Sequence, residues 1–396
     1  MIIGSYLDAD QVAQLQAIAP TVSYTAFGSG DWKRPLAMVG ELLGLTPLVD
    51  DLMAGYQARL DTLGTLVENP AEIEVSIIRV EPDRLMLNLV NSFPAVVVTD
   101  AGFGRPESQA YSEGEATERY GGAVGAFISL EEIQLADGDT IFAWSNQATA
   151  DQNAEADANW QTVQESPLWN TLTAAQNGTA YRVTGHWLGW GIFAAHGIID
   201  DLFTYIAGVD PADVSPNPFL TAAVPVTASE TPVETVQVPG FPPYAPAPTM
   251  LEVIEDRDDT LVVRHLFGET EIPANPQRIY ADGSTFDILL SLGIEPVAAN
   301  TLYTSELEPP TQLAPLIADL TIYNRGPADP EIVLSHQPDL ILVWEVALWR
   351  GQTASTTCSA PSHLLLSSTK IPMPIGSRRR SILPPYWVAA SRRRNC

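Results

Sequence analysis

Gln337-Pro-Asp-Leu-Ile-Leu-Val-Trp344 is a short apolar run behind a Pro-Asp pair. That is the pattern of a strand buried on both faces of a parallel sheet. The first residues, Met1-Ile-Ile-Gly-Ser-Tyr6, read like the second half of such a strand with its leading Pro-Asp-Leu cut away. A helical pattern precedes the one, at residues 329–336, and follows the other, at residues 8–18. The spacing predicts one lobe divided at this strand, its back half opening the chain and its front half near the end. Residues 340–343 are expected to lie beside residues 1–5 or to compete for their place.

Strand and helix patterns alternate around that division. Strands are expected at residues 21–27, 73–80, 140–144, 180–183, 278–281, 295–299 and 320–323. Helices are expected at 31–43 with Asp31 as cap, at 46–66 with Thr46 as cap and Pro47 in the first turn, and at 92–100, 129–133, 150–165, 191–206 and 284–292. The helix over 46–66 carries an apolar stripe of Leu48, Leu52, Tyr56, Leu60 and Leu63. At 1.5 Å per residue it spans roughly 30 Å, enough for a strut between lobes. Residues 105–126 show no period and read as a loop, and residues 150–165 as a solvated helix. Secondary structure fades at 209–259, a Pro-rich linker of semi-extended chain. The alternation makes both folded parts α/β. The expected parts are 1–30, the strut 31–67, a second lobe 68–208, the linker 209–259, residues 260–345, and a basic tail 346–396, disordered or frame-shifted.

At 396 residues and 45% hydrophobic side chains, the chain can hold two or three domains with substantial cores. No window approaches 18 consecutive apolar residues, so no membrane-spanning helix is expected. The opening residues lack the basic stretch and apolar core of an export signal. The net charge of −28 is unevenly divided. Residues 346–396 hold seven Arg, one Lys and no acidic side chain, while the other 345 residues hold 12 basic and 48 acidic ones, a charge of −36. A body that acidic repels phosphate backbones, which argues against nucleic acid as a partner. Cys358 and Cys396 both lie in the basic segment, so the acidic body has neither disulfide nor thiolate metal site.

Several runs together resemble a known family. They are Gly268-Glu-Thr-Glu-Ile-Pro-Ala-Asn-Pro-Gln-Arg-Ile279, Gly283-Ser-Thr-Phe-Asp-Ile-Leu-Leu-Ser-Leu-Gly293 and Pro330-Glu-Ile-Val-Leu-Ser-His-Gln-Pro-Asp-Leu340. Others are Asp31-Trp32-Lys33, Ser92-Phe93, Arg105-Pro106-Glu107, and Leu168-Trp169 through Trp187-Leu188-Gly189. They resemble the substrate-binding proteins of ABC importers for ferric siderophores, haem and cobalamin. Residues 262–344 are similar to the front half of such a protein and residues 1–208 to the back half. Family members run front lobe, strut, back lobe, so the halves here stand in permuted or tandem-truncated order.

The resemblance implies two Rossmann-like lobes joined by a long rigid helix, with the ligand in the cleft beyond the strand ends. One wall would then hold Ser284, Thr285, Arg325 and Trp344, the other Arg79, Trp144 and Trp187. An arginine suits carboxylates or phenolates, and a tryptophan suits stacking on an aromatic iron complex. Arg79 can equally pair with a structural carboxylate, Trp187 can equally be core, and Ser284 can simply cap its helix. The iron would travel inside the bound siderophore, with no cofactor, metal ligand or catalytic residue of the protein's own. The resemblance also implies a membrane permease as partner, docked by one carboxylate per lobe, here Glu131 and Glu331. It places the protein in the periplasm or on the outer face of the cell membrane.

Rival chemistries leave weaker traces. His196 and Asp200 share a helix face but lack a third ligand. No Gly-x-Ser-x-Gly, phosphate loop or Cys-His pair occurs. The alternatives are an α/β hydrolase-type enzyme working through acidic pairs, or a non-functional remnant of two adjacent binding-protein genes.

Overall fold

The computed structural model describes residues 9–26, 28–145, 150–220, 251–301, 303, 309, 313–324 and 328–346. The chain runs α1 (Ala9–Gln16), β1 (Thr21–Ala26), α2 (Lys33–Leu42), α3 (Thr46–Leu66), β2 (Val75–Val80), β3 (Leu85–Asn88), α4 (Phe93–Asp100), α5 (Glu113–Tyr120) and β4 (Gly125–Ile128). It continues through β5 (Thr140–Trp144), α6 (Ala150–Glu165), α7 (Thr173–Asn177), β6 (Ala180–Arg182), α8 (Ile192–Leu202) and α9 (Pro211–Val214). Then come β7 (Leu251–Arg257), β8 (Thr260–His265), β9 (Gly268–Pro273), β10 (Ile279–Asp282), α10 (Thr285–Ser291), β11 (Ala298–Thr301), α11 (Ala314–Ile317), β12 (Ile322–Asn324), α12 (Pro330–Ser335) and β13 (Leu340–Val346). The expectations for residues 1–5 and for the basic segment 346–396 beyond Val346 lie outside the described residues, as does most of the linker.

The apolar run at β13 sits inside sheet I, ordered β1-β13-β10-β11-β12 and parallel throughout. Both its sides are taken, by β1 from Thr21↔Ile341 and by β10 from Ile279↔Leu340. Its side chains alternate between two cores: Leu340, Leu342 and Trp344 on one face, Ile341 and Val343 on the other. That is why the run is continuous rather than alternating. Asp339 fixes its entry by accepting the backbone N–H groups of Gln277 and Arg278, both at 2.8 Å. The Arg278 guanidinium in turn donates to the carbonyls of Gln337 and His336.

Sheet II, ordered β4-β3-β2-β5-β6, comes from one continuous stretch. β2, β5 and β6 are parallel, while β3 is antiparallel to both its neighbours. The helix α3, 21 residues long, buries Tyr56, Leu60 and Leu63 and packs against α2 and α8. Gly55 leaves it uninterrupted because that position faces open space. Arg59 is buried on the same helix and gathers a polar knot. It donates to the His196 Nδ1 and carbonyl, to the Asp200 carboxylate and to the Ser215 carbonyl. Asn217 Nδ2 completes it on Asp200 at 2.7 Å. Burial and the nearby Arg59 charge push the His196 imidazole down to about 3, so it stays neutral.

Several local expectations need correction. Residues 105–126 are not a plain loop: they hold α5, opened by a reciprocal Ser112–Glu115 capping box, and the start of β4. α5 buries only Ala116, so it carries no apolar period to read. α6 is not merely solvated, because Ala156, Trp160 and Val163 line one buried face and Trp160 meets Trp169 edge-on at 5.2 Å. The linker ends earlier than residue 259, since Leu251–Arg257 pairs with β8 in the three-stranded antiparallel sheet β7-β8-β9. Trp32, not Asp31, stands at the cap of α2, and Asp31 instead pairs with Arg34. Thr46 is already inside α3, after Leu45 at the cap.

Candidate functional site

Parallel strands leave a sheet at a common edge. In sheet II, β5 ends at Trp144, the register partner of Arg79, and β2 ends one residue later at Val80, with the segment after β6 beside them. In sheet I, β10, β11 and β13 end at Asp282, Thr301 and beyond Trp344. The two edges meet where Trp190, from the segment after β6, packs on Trp344 with ring centroids 4.9 Å apart at 45°. Gly283 makes that meeting possible. Its φ is +62°, and a Cβ there would lie 2.8 Å from the Trp344 ring.

Two cavities open at this seam, of about 280 and 230 Å³ including space open to solvent. Trp190 and Ser284 belong to both. The first is otherwise lined by Gly189, Gly283, Asp287, Thr301 and Tyr303, the second by Gly28, Ser29, Asp31, Trp32, Pro35, Ile288 and Trp344. Asp287 is 5% exposed and accepts the Tyr303 hydroxyl at 2.7 Å. Burial pushes its carboxyl up to about 7, against the opposing pull of that hydrogen bond. It also faces the start of α8, where a Cβ on Gly191 would come within 3.3 Å of the Asp287 Cβ.

The sequence-predicted residues fall into five groups. Ser284 and Trp344 line the cavities, and Ser284 makes no side-chain cap bond to its helix. Thr285 lies one layer behind, fully buried, sharing a 2.6 Å hydrogen bond with the Tyr24 hydroxyl of β1. Arg79 and Trp144 stand together at the edge of sheet II, the guanidinium 5.5 Å from the ring centroid, and Arg79 pairs with Glu81. Trp187 is a core residue: fully buried, stacked on Phe142 at 4.6 Å and donating its N–H to Asp201 at 2.7 Å. It lines neither cavity. Arg325 lies outside the described residues.

Glu131 and Glu331 are both exposed in first helical turns. The Glu131 carboxyl is held below the usual range by its own backbone N–H and by Ser129. The Glu331 N–H is capped by Asp329 at 2.9 Å. Sequence reasoning missed Trp190, Asp287, Tyr303, Glu81 and Arg84. Trp190 had a signal, an aromatic set between Gly189 and Gly191 just past a strand, whereas the burial of Asp287 depends on a distant segment. Among the described residues, no cluster of three His, Cys, Asp or Glu is placed to hold a metal ion. No described helix is long and apolar enough to cross a membrane.

Residues 1–185 match the periplasmic binding protein family. The protein named probable siderophore-binding lipoprotein YfiY, of Bacillus subtilis (strain 168), is 28% identical over 210 residues, covering 52% of this chain and 62% of that protein. The achromobactin-binding periplasmic protein of Dickeya dadantii (strain 3937) is 25% identical over 202 residues, covering 49% and 62%. The chain thus spans 62% of the length of each of these two relatives. Among solved structures, Staphylococcus aureus SirA is 16% identical with a TM-score of 0.43, over 50% of this chain and 79% of that one. Residues 1–185 are thus similar to periplasmic binding proteins.

Proposed function

We propose that the protein binds a ferric siderophore in the cleft between sheets I and II and delivers it to an ABC importer permease outside the cytoplasm. The observation that carries this is the meeting of two α/β strand-end edges across an aromatic seam, Trp190 on Trp344. The two curated relatives bear names for siderophore binding and for achromobactin binding, one a lipoprotein and one periplasmic, which supports both the ligand class and the location. Supporting the reversed order of halves is the pairing of β1 with β13, which brings residues 21–26 and 340–346 into one lobe. The 280 and 230 Å³ include space open to solvent, so neither cavity encloses a drug-sized ligand as a binding site of roughly 300–1,000 Å³ does. Binding therefore requires the lobes to part and Trp190 to leave Trp344.

Titration with ferric hydroxamate, catecholate and citrate complexes tests the reading through tryptophan emission, which falls when an iron chromophore enters beside Trp190 and Trp344. A folded sample that responds to none of them would remove the proposal. Docking is tested separately. The double variant Glu131→Lys with Glu331→Lys should keep its ligand affinity and lose permease association. If ligand binding and folding stability fall together instead, these glutamates serve their own helix ends, a contribution of roughly 0.3–1 kcal/mol each.

A further inference from the structure

Glu81 follows β2 directly and closes a tight turn, its N–H donating to the Arg84 carbonyl at 3.1 Å. The turn sets its carboxylate between two arginines. Arg79 Nη2 donates to Oε1, and Arg84 Nε donates to Oε2 at 2.7 Å. The Arg84 guanidinium carbon lies 3.8 Å from the centroid of the exposed Phe127 ring, and that of Arg79 sits over Trp144. Burial would push the Glu81 carboxyl up, but the hydrogen bonds and charges of Arg84 and Arg79 outweigh it and hold the carboxyl below its usual range. Two further donors at this corner, Arg79 Nε and Trp144 Nε1, are buried without an acceptor among the described residues. A cluster built only to satisfy Glu81 would not need them.

We infer that Glu81 is an internal stand-in for a carboxylate of the ligand, and that its displacement sets the preference of this corner for carboxylate-bearing ferric complexes. The inference rests on the cleft being the ligand site and adds the residue that tunes it. The guanidiniums already grip a planar two-oxygen anion, one oxygen each, so an incoming carboxylate fits the same geometry. Glu81 is tethered by the turn and competes at high effective concentration. A ligand without an anionic group has nothing to exchange for it.

The test compares wild type with Glu81→Gln, which keeps the side-chain shape and removes the competing charge. Both are titrated with ferric citrate and with ferrichrome, a neutral hydroxamate complex, and thermal unfolding confirms that both are folded. The ratio of ferric-citrate to ferrichrome affinity should rise about tenfold in the variant, the scale of one charge-assisted hydrogen bond released. Adding Arg84→Ala to Glu81→Gln should reverse most of the gain. An unchanged ratio, or a ratio that falls, overturns the role of Glu81 while leaving the cleft as the site. If neither protein binds any ferric complex, catecholate included, the binding reading falls and this inference with it.

Discussion

Sheets I and II each have five strands, yet they are assembled differently. Sheet II is drawn from residues 75–182, and its farthest-separated register partners, those of β2 with β5 such as Val75 and Thr140, lie 65 residues apart. Sheet I pairs Thr21 with Ile341, 320 residues apart. Loop-closure entropy grows only with the logarithm of length, about 0.6 kcal/mol per doubling, so this contrast costs sheet I about 1.4 kcal/mol. Thermodynamically that is minor beside a buried strand. Kinetically it is not, because distant parallel pairings form slowly. Sheet II can fold from its own stretch of chain, while sheet I waits for the two ends to find each other.

The sharpest way to separate the sheets is Leu342→Asp in β13. A charge buried between β1 and β10 should cost about 4 kcal/mol or more. Hydrogen exchange should then show β1, β10 and β13 losing protection while β2 and β5 keep theirs. One hydrophobic core runs through both sheets and α3, including Leu342, Phe142 and Tyr56. If that core couples them fully, all five strands open together and the contrast between the sheets disappears.

A second prediction uses pH. Asp287, in the part of the chain that forms sheet I, is raised to about 7 from 3.8, so its native form holds a proton that the unfolded chain releases. Its contribution to stability is greatest below pH 4 and is lost as pH rises to 7. His196, packed against α3, is depressed to about 3 from 6.5, and His265 on β8 to about 4, both by burial first. Their contribution is present above pH 6.5 and is lost as pH falls. The slopes oppose each other between about pH 4 and 6.5. Asp287→Asn should remove one side and make stability climb with pH by up to about 1.4 kcal/mol per unit for each histidine. Urea unfolding at several pH values measures it, and a flat profile in the variant would contradict the assignment.

The smallest effect expected is Trp190→Ala. It removes the ring contact across the seam, about 1 kcal/mol of pairing, and should let the two bodies part more often. X-ray scattering of the ligand-free variant should show a larger radius than wild type. An unchanged radius would mean that other contacts, such as Asp287 against Gly191, hold the seam alone.

Much of sheet I was legible because Pro338-Asp339 followed by five apolar residues has one good solution, a strand with both faces covered. The helix over 46–66 was legible for a similar reason, since Tyr56, Leu60 and Leu63 recur at helical spacing. What failed was structure without a period of its own. α5 buries only Ala116, and β3 has only four residues, Leu-Met-Leu-Asn. β7 follows so much Pro-rich sequence that its own alternation was submerged. The site was harder still. Ser284 and Trp344 reach the seam because strand ends do so generally, but the local mark that separates Trp190, which turns outward to Trp344, from Trp187, which turns inward to Asp201, is its pair of flanking glycines. Which indole faces the cleft is decided by Asp201, whose carboxylate also takes the His186 N–H.

The Trp190–Trp344 pair has an optical consequence. Two indoles at 4.9 Å and 45° are close enough, and suitably skewed, for their ultraviolet transitions to couple and give an exciton couplet in circular dichroism. Parting the sheets would erase it. Trp160 and Trp169 form a second coupled pair at 5.2 Å, but both belong to the core behind sheet II and do not cross the seam. Their signal would persist through opening and serve as an internal standard. The molecule thus carries an unlabelled gauge of its own state, with one indole pair that tracks the cleft and one that does not.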